Sequence, residues 1–278
     1  MSDTVVKTTT VPLSRLLEKV YHNGGHDFRD YKISTITRRL ERRLQSTGAR
    51  NYPEYISFLN THPEEYERLV QYLTITVSGF FRNQYAFEQM TNRVLPEFIN
   101  QKTKRHDGRL RFWSTACARG EEPYSIAIML AETLKDGLKD FDIRIHATDI
   151  NRQAIKEARI GFYSDQDIDG LPDERYQGYF IRNNEGLVIK PDIRRLVSFS
   201  YFDLVSGAEP PFAEMDVIFC CNILIYLQRK LQERVLNTLY NMLAPSGYLV
   251  LGEVETPPEN LKHKLKCLDT KAKIYQKI

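Results

Sequence analysis

The sequence predicts an α/β domain, with a mostly parallel sheet and helices on both faces, preceded by a small all-helical domain. Three observations carry this expectation. Before about residue 100 the apolar residues recur at helical spacing. After it, short apolar runs ending in small or acidic residues alternate with helical patterns. Between the two, QKTKRHDGR at 101–109 is polar and contains a glycine, as a linker would. The expected division is a helical domain over 1–82, a linker helix and loop over 83–108, and a sheet domain over 109–278.

In YKISTITRRLERRL, Ile33, Ile36, Leu40 and Leu44 step by three and four, which predicts an amphipathic helix. Arg38, Arg39, Arg42 and Arg43 form a basic face opposite that stripe; a solvated charged face is the plain alternative to a binding role. Asn51-Tyr52-Pro53 opens a second helix and His62-Pro63 a third. In the second half, RLRFWSTA, DIRIHATD, LVSFSYF, MDVIFC and GYLVLGE read as strands. A helix is expected from about Gln228 to Met242, and KCLDTKAKIYQKI is expected to supply a final antiparallel strand or hairpin. FIRNNEGLVIKPDIRRL looks like a small β-subdomain at about 172–196, with NNEG as a hairpin turn.

Composition narrows the function. Hydrophobic residues at 42% and charged residues at 27% match a soluble globular chain of 278 residues. A net charge of +3 is too small to argue for nucleic acid. No run approaches the ~18 apolar residues of a membrane helix, and MSDTVVKTTT lacks a signal-peptide core, so a cytoplasmic location is expected. The cysteines Cys117, Cys220, Cys221 and Cys267 show no C-x-x-C spacing, and no metal site is expected. Cys220 and Cys221 are neighbours on a strand and should point to opposite faces.

Ligands of such sheets bind at the carboxyl ends of the strands. The first strand ends in STACARGEEPYS, where Gly120 permits a tight turn and Glu121 and Glu122 begin a helix. The loop is not G-x-G-x-x-G, and two carboxylates would repel a pyrophosphate; they would welcome an amino group or sulfonium. Complementing the helix dipole is their alternative role. Asp149, ending HATD, can accept hydrogen bonds from both ribose hydroxyls, or else cap the next helix. Together these features suggest S-adenosylmethionine, which has a ribose, an amino-acid tail and a sulfonium but no phosphate. The LAPSGYLVL segment resembles the approach to the fifth strand of class I methyltransferases.

WSTACARGEEPYSIAI, ATDINRQAIKEARIGFY and VIFCCNILIYL, with LTITVSGFFRN at 73–83, resemble the chemotaxis receptor methyltransferases of the CheR family, over nearly the whole chain. The resemblance implies a Rossmann-like class I fold with a seven-stranded sheet. It also implies methylation of glutamate side chains on chemoreceptors, yielding methyl esters and S-adenosylhomocysteine. By the same resemblance Arg82 lies near the methyl donor and orients the substrate carboxylate, and Tyr226 stands beside the transferred methyl. Thr76 and Ser78 match positions that touch the cofactor, Asp203 and Leu204 positions around the adenine, and Asn222 the amino-acid end. The helix bearing Arg38, Arg39, Arg42 and Arg43 would approach the receptor's acidic region. Phe80 and Phe81 are expected to pack rather than react.

Two departures stand out. Cys221, at the edge of the cofactor site, occupies a position where relatives carry arginine, and Gly252-Glu253-Val254-Glu255 replaces a Gly-His-Ser-Glu pattern. A cofactor-binding signalling module with weak or no catalysis, or a methyltransferase for another protein, remain the alternatives. The loop near 183–186 is shorter than in relatives that dock a receptor's C-terminal pentapeptide, so no dependence on such a tether is expected.

Overall fold

The computed structural model describes residues 3–74 and 76–278. The chain opens with α1 (Asp3–Gly24), α2 (Ile33–Thr47), α3 (Tyr52–Thr61) and α4 (Glu64–Leu73). Ile36, Leu40 and Leu44 of α2 are buried against Leu16, Val20, Tyr55, Leu59 and Leu69. Ile33 departs from the expected stripe: as the first residue of its helix it lies beyond that core and is 55% exposed. The Asn51 side chain accepts the Glu54 N–H at 2.9 Å and caps α3, which carries Pro53 in its first turn.

The segment expected to link the domains is instead part of the second core. α5 (Gln84–Gln89), a π-turn over Met90–Val94 and α6 (Leu95–Lys104) run on from one another. Phe87, Met90, Val94, Leu95 and Phe98 are buried in the same cluster as Phe112 and Phe219 of the sheet. Their helical spacing makes one apolar face that only the sheet can cover.

The sheet domain follows as β1 (Arg109–Ser114), α7 (Glu121–Leu134), β2 (Asp142–Asp149), α8 (Arg152–Ile160), β3 (Phe162–Tyr163), α9 (Asp173–Tyr179), β4 (Phe180–Arg182), β5 (Leu187–Ile189), α10 (Pro191–Arg194), β6 (Val197–Tyr201), β7 (Met215–Cys220), α11 (Arg229–Met242), β8 (Leu243–Leu251), β9 (Leu265–Asp269) and β10 (Ile274–Lys277). Seven strands lie in the order β6-β2-β1-β7-β8-β10-β9. The first five are parallel, and β10 runs antiparallel to β8 and β9. Every residue of β7 is buried, as a strand covered on both faces requires. The winding reverses between β1 and β7, so a crevice opens at their carboxyl ends.

The β-subdomain starts earlier than expected, at Phe162. β3 pairs with β5 and β5 with β4, all antiparallel. A two-residue strand is too short to show alternation in sequence, which is why it went unread. The Asn183 side chain accepts the N–H groups of Glu185 (3.0 Å) and Gly186 (2.9 Å), closing the NNEG turn. No described helix is long and apolar enough to cross a membrane.

Candidate active site

The loop after β1 is built by hooking onto both neighbouring strands. Thr115 N–H donates to the Phe219 carbonyl at 3.0 Å and Cys117 N–H to the Thr148 carbonyl at 2.9 Å. Gly120 then turns the chain at φ +97°, where a Cβ would sit 3.0 Å from the Ala158 Cβ and 3.1 Å from the Tyr163 hydroxyl. Backbone conformation and space both demand glycine there.

The two acids that follow have different surroundings. Glu121 is buried, turned toward Arg119 at 3.5 Å, and does not line the cleft; its neighbour Glu122 does. The Ser114 hydroxyl donates to Glu122 at 2.6 Å. Burial pushes the Glu122 pKa up to about 7; the nearby Glu255 charge adds to the rise, while Ser114, Cys221 and Arg82 oppose it.

Asp149 lines the cleft, and burial raises its pKa. One of its oxygens accepts the Ala118 N–H at 2.9 Å and the other the Asn151 N–H at 2.8 Å. It does not cap α8: the Asn151 side chain does so, accepting the Ala154 N–H at 3.0 Å. Asp203, after β6, accepts the Val205 N–H at 3.0 Å and lines the cleft beside Phe202, Leu204 and Val205. Burial raises its pKa as well.

At the end of β7 the adjacent cysteines part as strand geometry dictates. Cys220 is fully buried against Trp113 and Leu249, whereas Cys221 faces the cleft. Burial holds both thiols well above the ordinary range, so neither is a ready thiolate. Asn222 and Tyr226 line the cleft from the next loop, and Asn222 adopts φ +60°. That loop is fastened by Glu255, 4% exposed, whose carboxylate accepts the N–H groups of Gly252 (2.8 Å), Asn222 (3.0 Å) and Ile225 (3.3 Å). Sequence reading noted Glu255 only as part of an altered motif; a lone acid after a strand carries no signal of three amide partners.

The junction segment supplies the opposite wall. Ser78, Arg82 and Asn83 line the cleft, and an Arg82 guanidinium nitrogen donates to the Val77 carbonyl at 2.8 Å. Thr76, expected beside them, is not among the lining residues. The segment is irregular rather than a strand, with Phe81 at φ +50°, so alternate residues do not share a face. Phe80 and Phe81 do pack. Phe80 lies edge-on to Tyr163 (4.8 Å) and Phe180 (5.3 Å), while Phe81 N–H donates to Ser125 at 2.9 Å beneath the Arg175 guanidinium.

The four-arginine face of α2 divides. Arg38 and Arg42 are exposed. Arg39 donates to the carbonyls of Tyr72 (2.7 Å) and Thr74 (3.3 Å), closing the end of α4. Arg43 donates to Glu65 at 2.6 Å, and the Tyr55 hydroxyl donates to the same carboxylate at 2.7 Å. Arg39 and Arg43 flank the apolar stripe and are drawn inward with it; their neighbours are not.

The described lining includes three acids, Glu122, Asp149 and Asp203, and one base, Arg82, with Leu73, Phe87, Ile150, Phe202, Leu204 and Val205 as apolar wall. The cleft spans about 1080 Å³, a volume that includes solvent at its open mouth. Carboxylates stand where a phosphate would need donors, so the donor set fits a phosphate-free nucleoside with a cationic tail.

The description "CheR methyltransferase, SAM binding domain" matches residues 76–274, and "CheR methyltransferase, all-alpha domain" matches residues 12–74. A chemotaxis protein methyltransferase of Borreliella burgdorferi is 31% identical over 254 residues, covering 90% of each chain. That of Escherichia coli is 31% identical over 247 residues, 87% of this chain and 82% of its own. An uncharacterized 104.1 kDa protein of Rhodobacter capsulatus is 32% identical over 246 residues, 87% of this chain but 25% of that longer protein. Two domains of one family, matched in succession over residues 12–74 and 76–274 around a cleft suited to this cofactor, settle the kinship: the chain belongs to the CheR family of S-adenosylmethionine-dependent methyltransferases.

Proposed function

We propose that this methyltransferase esterifies glutamate side chains of bacterial chemoreceptors, in the cytoplasm and in the service of chemotactic adaptation. The observation that carries the reading is Arg82, the one basic side chain of the described lining, in a cleft otherwise acidic. A glutamate carboxylate is ionised at neutral pH and needs no general base. It needs a cation to turn it toward the methyl group and a site that limits water. Arg82 meets the first need through its planar fork of donors. Tyr226, Phe87 and Leu73 wall the site. Bound S-adenosylmethionine would supply a methyl group activated by its sulfonium.

Asp149 would hold the ribose, Asp203 and Leu204 the adenine, and Glu122 and Asn222 the amino-acid end, with Ser78 and Cys221 at the edges. Thr76 and Glu121 lie outside the lining. Arg38 and Arg42 form the exposed part of the basic face and would guide an acidic receptor helix, mainly by speeding encounter. The tight NNEG turn supports independence from a receptor tether.

Incubation with labelled cofactor and chemoreceptor-bearing membranes tests the reading. Base-labile label on the receptors is expected. It should fall about tenfold in the Arg38→Glu/Arg42→Glu double variant, with salt abolishing the difference. Cofactor binding without transfer to any receptor would favour the signalling module, and heat from a tether pentapeptide would contradict tether independence.

The Glu122 carboxyl sets a pH dependence. It is neutral below its pKa of about 7 and charged above, so a cationic ligand binds more tightly on the alkaline side. Calorimetry should show S-adenosylmethionine affinity falling by up to about tenfold per pH unit on the acid side. Cys221→Arg should move the break to lower pH by giving Glu122 a cation. A flat profile between about pH 6 and 8 would remove Glu122 from the ligand's neighbourhood.

A further inference from the structure

The cleft is not made by the sheet domain alone. Between α1 and α2 the chain crosses the loop after β7 and is stitched to it along the main chain. Tyr31 bridges Leu227 antiparallel, Lys32 N–H donates to the Tyr226 carbonyl at 2.8 Å, and Gln228 N–H donates to the Asp30 carbonyl at 2.9 Å. The Gln228 side-chain amide adds a bond to the Tyr31 carbonyl at 3.2 Å. Backbone bonds therefore fix where Tyr31 stands, independently of its ring.

The ring packs against Phe28, with centroids 5.1 Å apart, and lines the same cleft as Asp149 and Asp203. Burial raises the phenol's pKa strongly, and the fields of Asp203, Asp149 and Asp27 add to the rise. Tyr31 as a whole is half-buried, so its side chain faces the open cleft rather than the sealed core. A phenol on a cleft wall can take its hydrogen-bond partner from a ligand. Here it shares the cleft wall with Asp149 and Asp203, the two acids proposed to face the nucleoside.

We infer that Tyr31, carried by the N-terminal helical domain, is a cofactor-binding residue whose hydroxyl hydrogen-bonds the nucleoside part of the ligand. Cofactor occupancy then strengthens the joint between the two domains, because the segment 28–32 adds a bond to the nucleoside to those it already makes with 226–228. The inference rests on the methyltransferase reading of the cleft and adds a ligand from outside the methyltransferase fold.

Binding, rather than turnover, tests it. Isothermal calorimetry with S-adenosylhomocysteine is expected to show Tyr31→Phe weakened roughly tenfold, the loss of one hydrogen bond in a desolvated site. 5′-Methylthioadenosine, which keeps the nucleoside and lacks the amino-acid tail, should lose the same factor. The ligand-free variant should melt with wild type, since the bonds that hold the segment are main-chain. In wild type, S-adenosylhomocysteine should slow hydrogen exchange of the Lys32 and Gln228 amides, and Tyr31→Ala should abolish that slowing.

Binding by Tyr31→Phe within twofold of wild type would overturn the inference. So would a loss confined to S-adenosylhomocysteine, since Tyr31 would then serve the amino-acid end. Wild-type binding of S-adenosylhomocysteine without methyl transfer to receptors would sink the proposed function and leave Tyr31 standing. Absence of wild-type binding would sink both.

Discussion

Replacing Arg82 with alanine is expected to lower kcat by about 10²–10³ while changing S-adenosylhomocysteine affinity by no more than about threefold. The guanidinium is anchored by one nitrogen on the Val77 carbonyl, which leaves its other donors free for a carboxylate. No other described lining residue is basic, and Glu122, Asp149 and Asp203 already crowd the cleft with acid. Without Arg82 the substrate carboxylate enters unpaired among like charges. The cofactor, whose ribose and base are proposed to face the aspartates, loses nothing comparable. Arg82→Lys should fall between, because an ammonium keeps the charge but not the fork. Single-turnover rates and calorimetry on the same variants separate the two effects. Equal losses in binding and rate would remove Arg82 from its orienting role.

Glu255→Ala should destabilise the protein by about 3–5 kcal/mol, because it orphans together the buried N–H of Gly252 and the half-buried N–H groups of Asn222 and Ile225. At this chain length the loss corresponds to a fall in Tm of about 10 °C. Cofactor affinity should fall with it, since the loop it anchors carries Asn222 at φ +60° and Tyr226. Glu255→Gln should cost less. Its amide oxygen can keep the two N–H groups that share one carboxylate oxygen, while its NH₂ meets the Ile225 N–H without a bond to offer. Thermal melts and urea titrations of both variants decide the point. An alanine variant melting within about 2 °C of wild type would mean that water satisfies the loop.

These two residues differ in how plainly the chain announces them. Arg82 stands in a motif whose resemblance to a family singles it out. Glu255 shows its three-amide role only when the ends of β7 and β8 are side by side. Asp149, Glu122 and Asp203 were legible because parallel strands deliver their last residues to one edge, whatever else surrounds them. Thr76 and Glu121 were drawn in with their neighbours because motif proximity does not report direction. The irregular backbone of 76–83 turns Thr76 away from the lining, and Arg119 draws Glu121 aside.

The separation of Arg39 and Arg43 from Arg38 and Arg42 has the same origin. All four follow one helical pattern, but the carbonyl end of α4 and the buried Glu65 choose which two are drawn inward. The polar stretch at 101–109 read as a boundary, yet α5 and α6 before it belong to the sheet's core, because an apolar face says only that something must cover it.

By itself, then, the sequence determined most of the helical and strand elements, the parallel sheet, the acid-lined strand ends and the family. These depend on local periodicity, capping and short motifs, which neighbouring residues settle among themselves. The tertiary structure alone decided that Tyr31 lines the cleft with Asp149 and Asp203, that Glu255 holds the loop after β7, and that Arg39 and Arg43 turn inward while Arg38 and Arg42 do not. Each of those outcomes requires elements far apart in the chain to meet, and that meeting is set by how the buried cores pack.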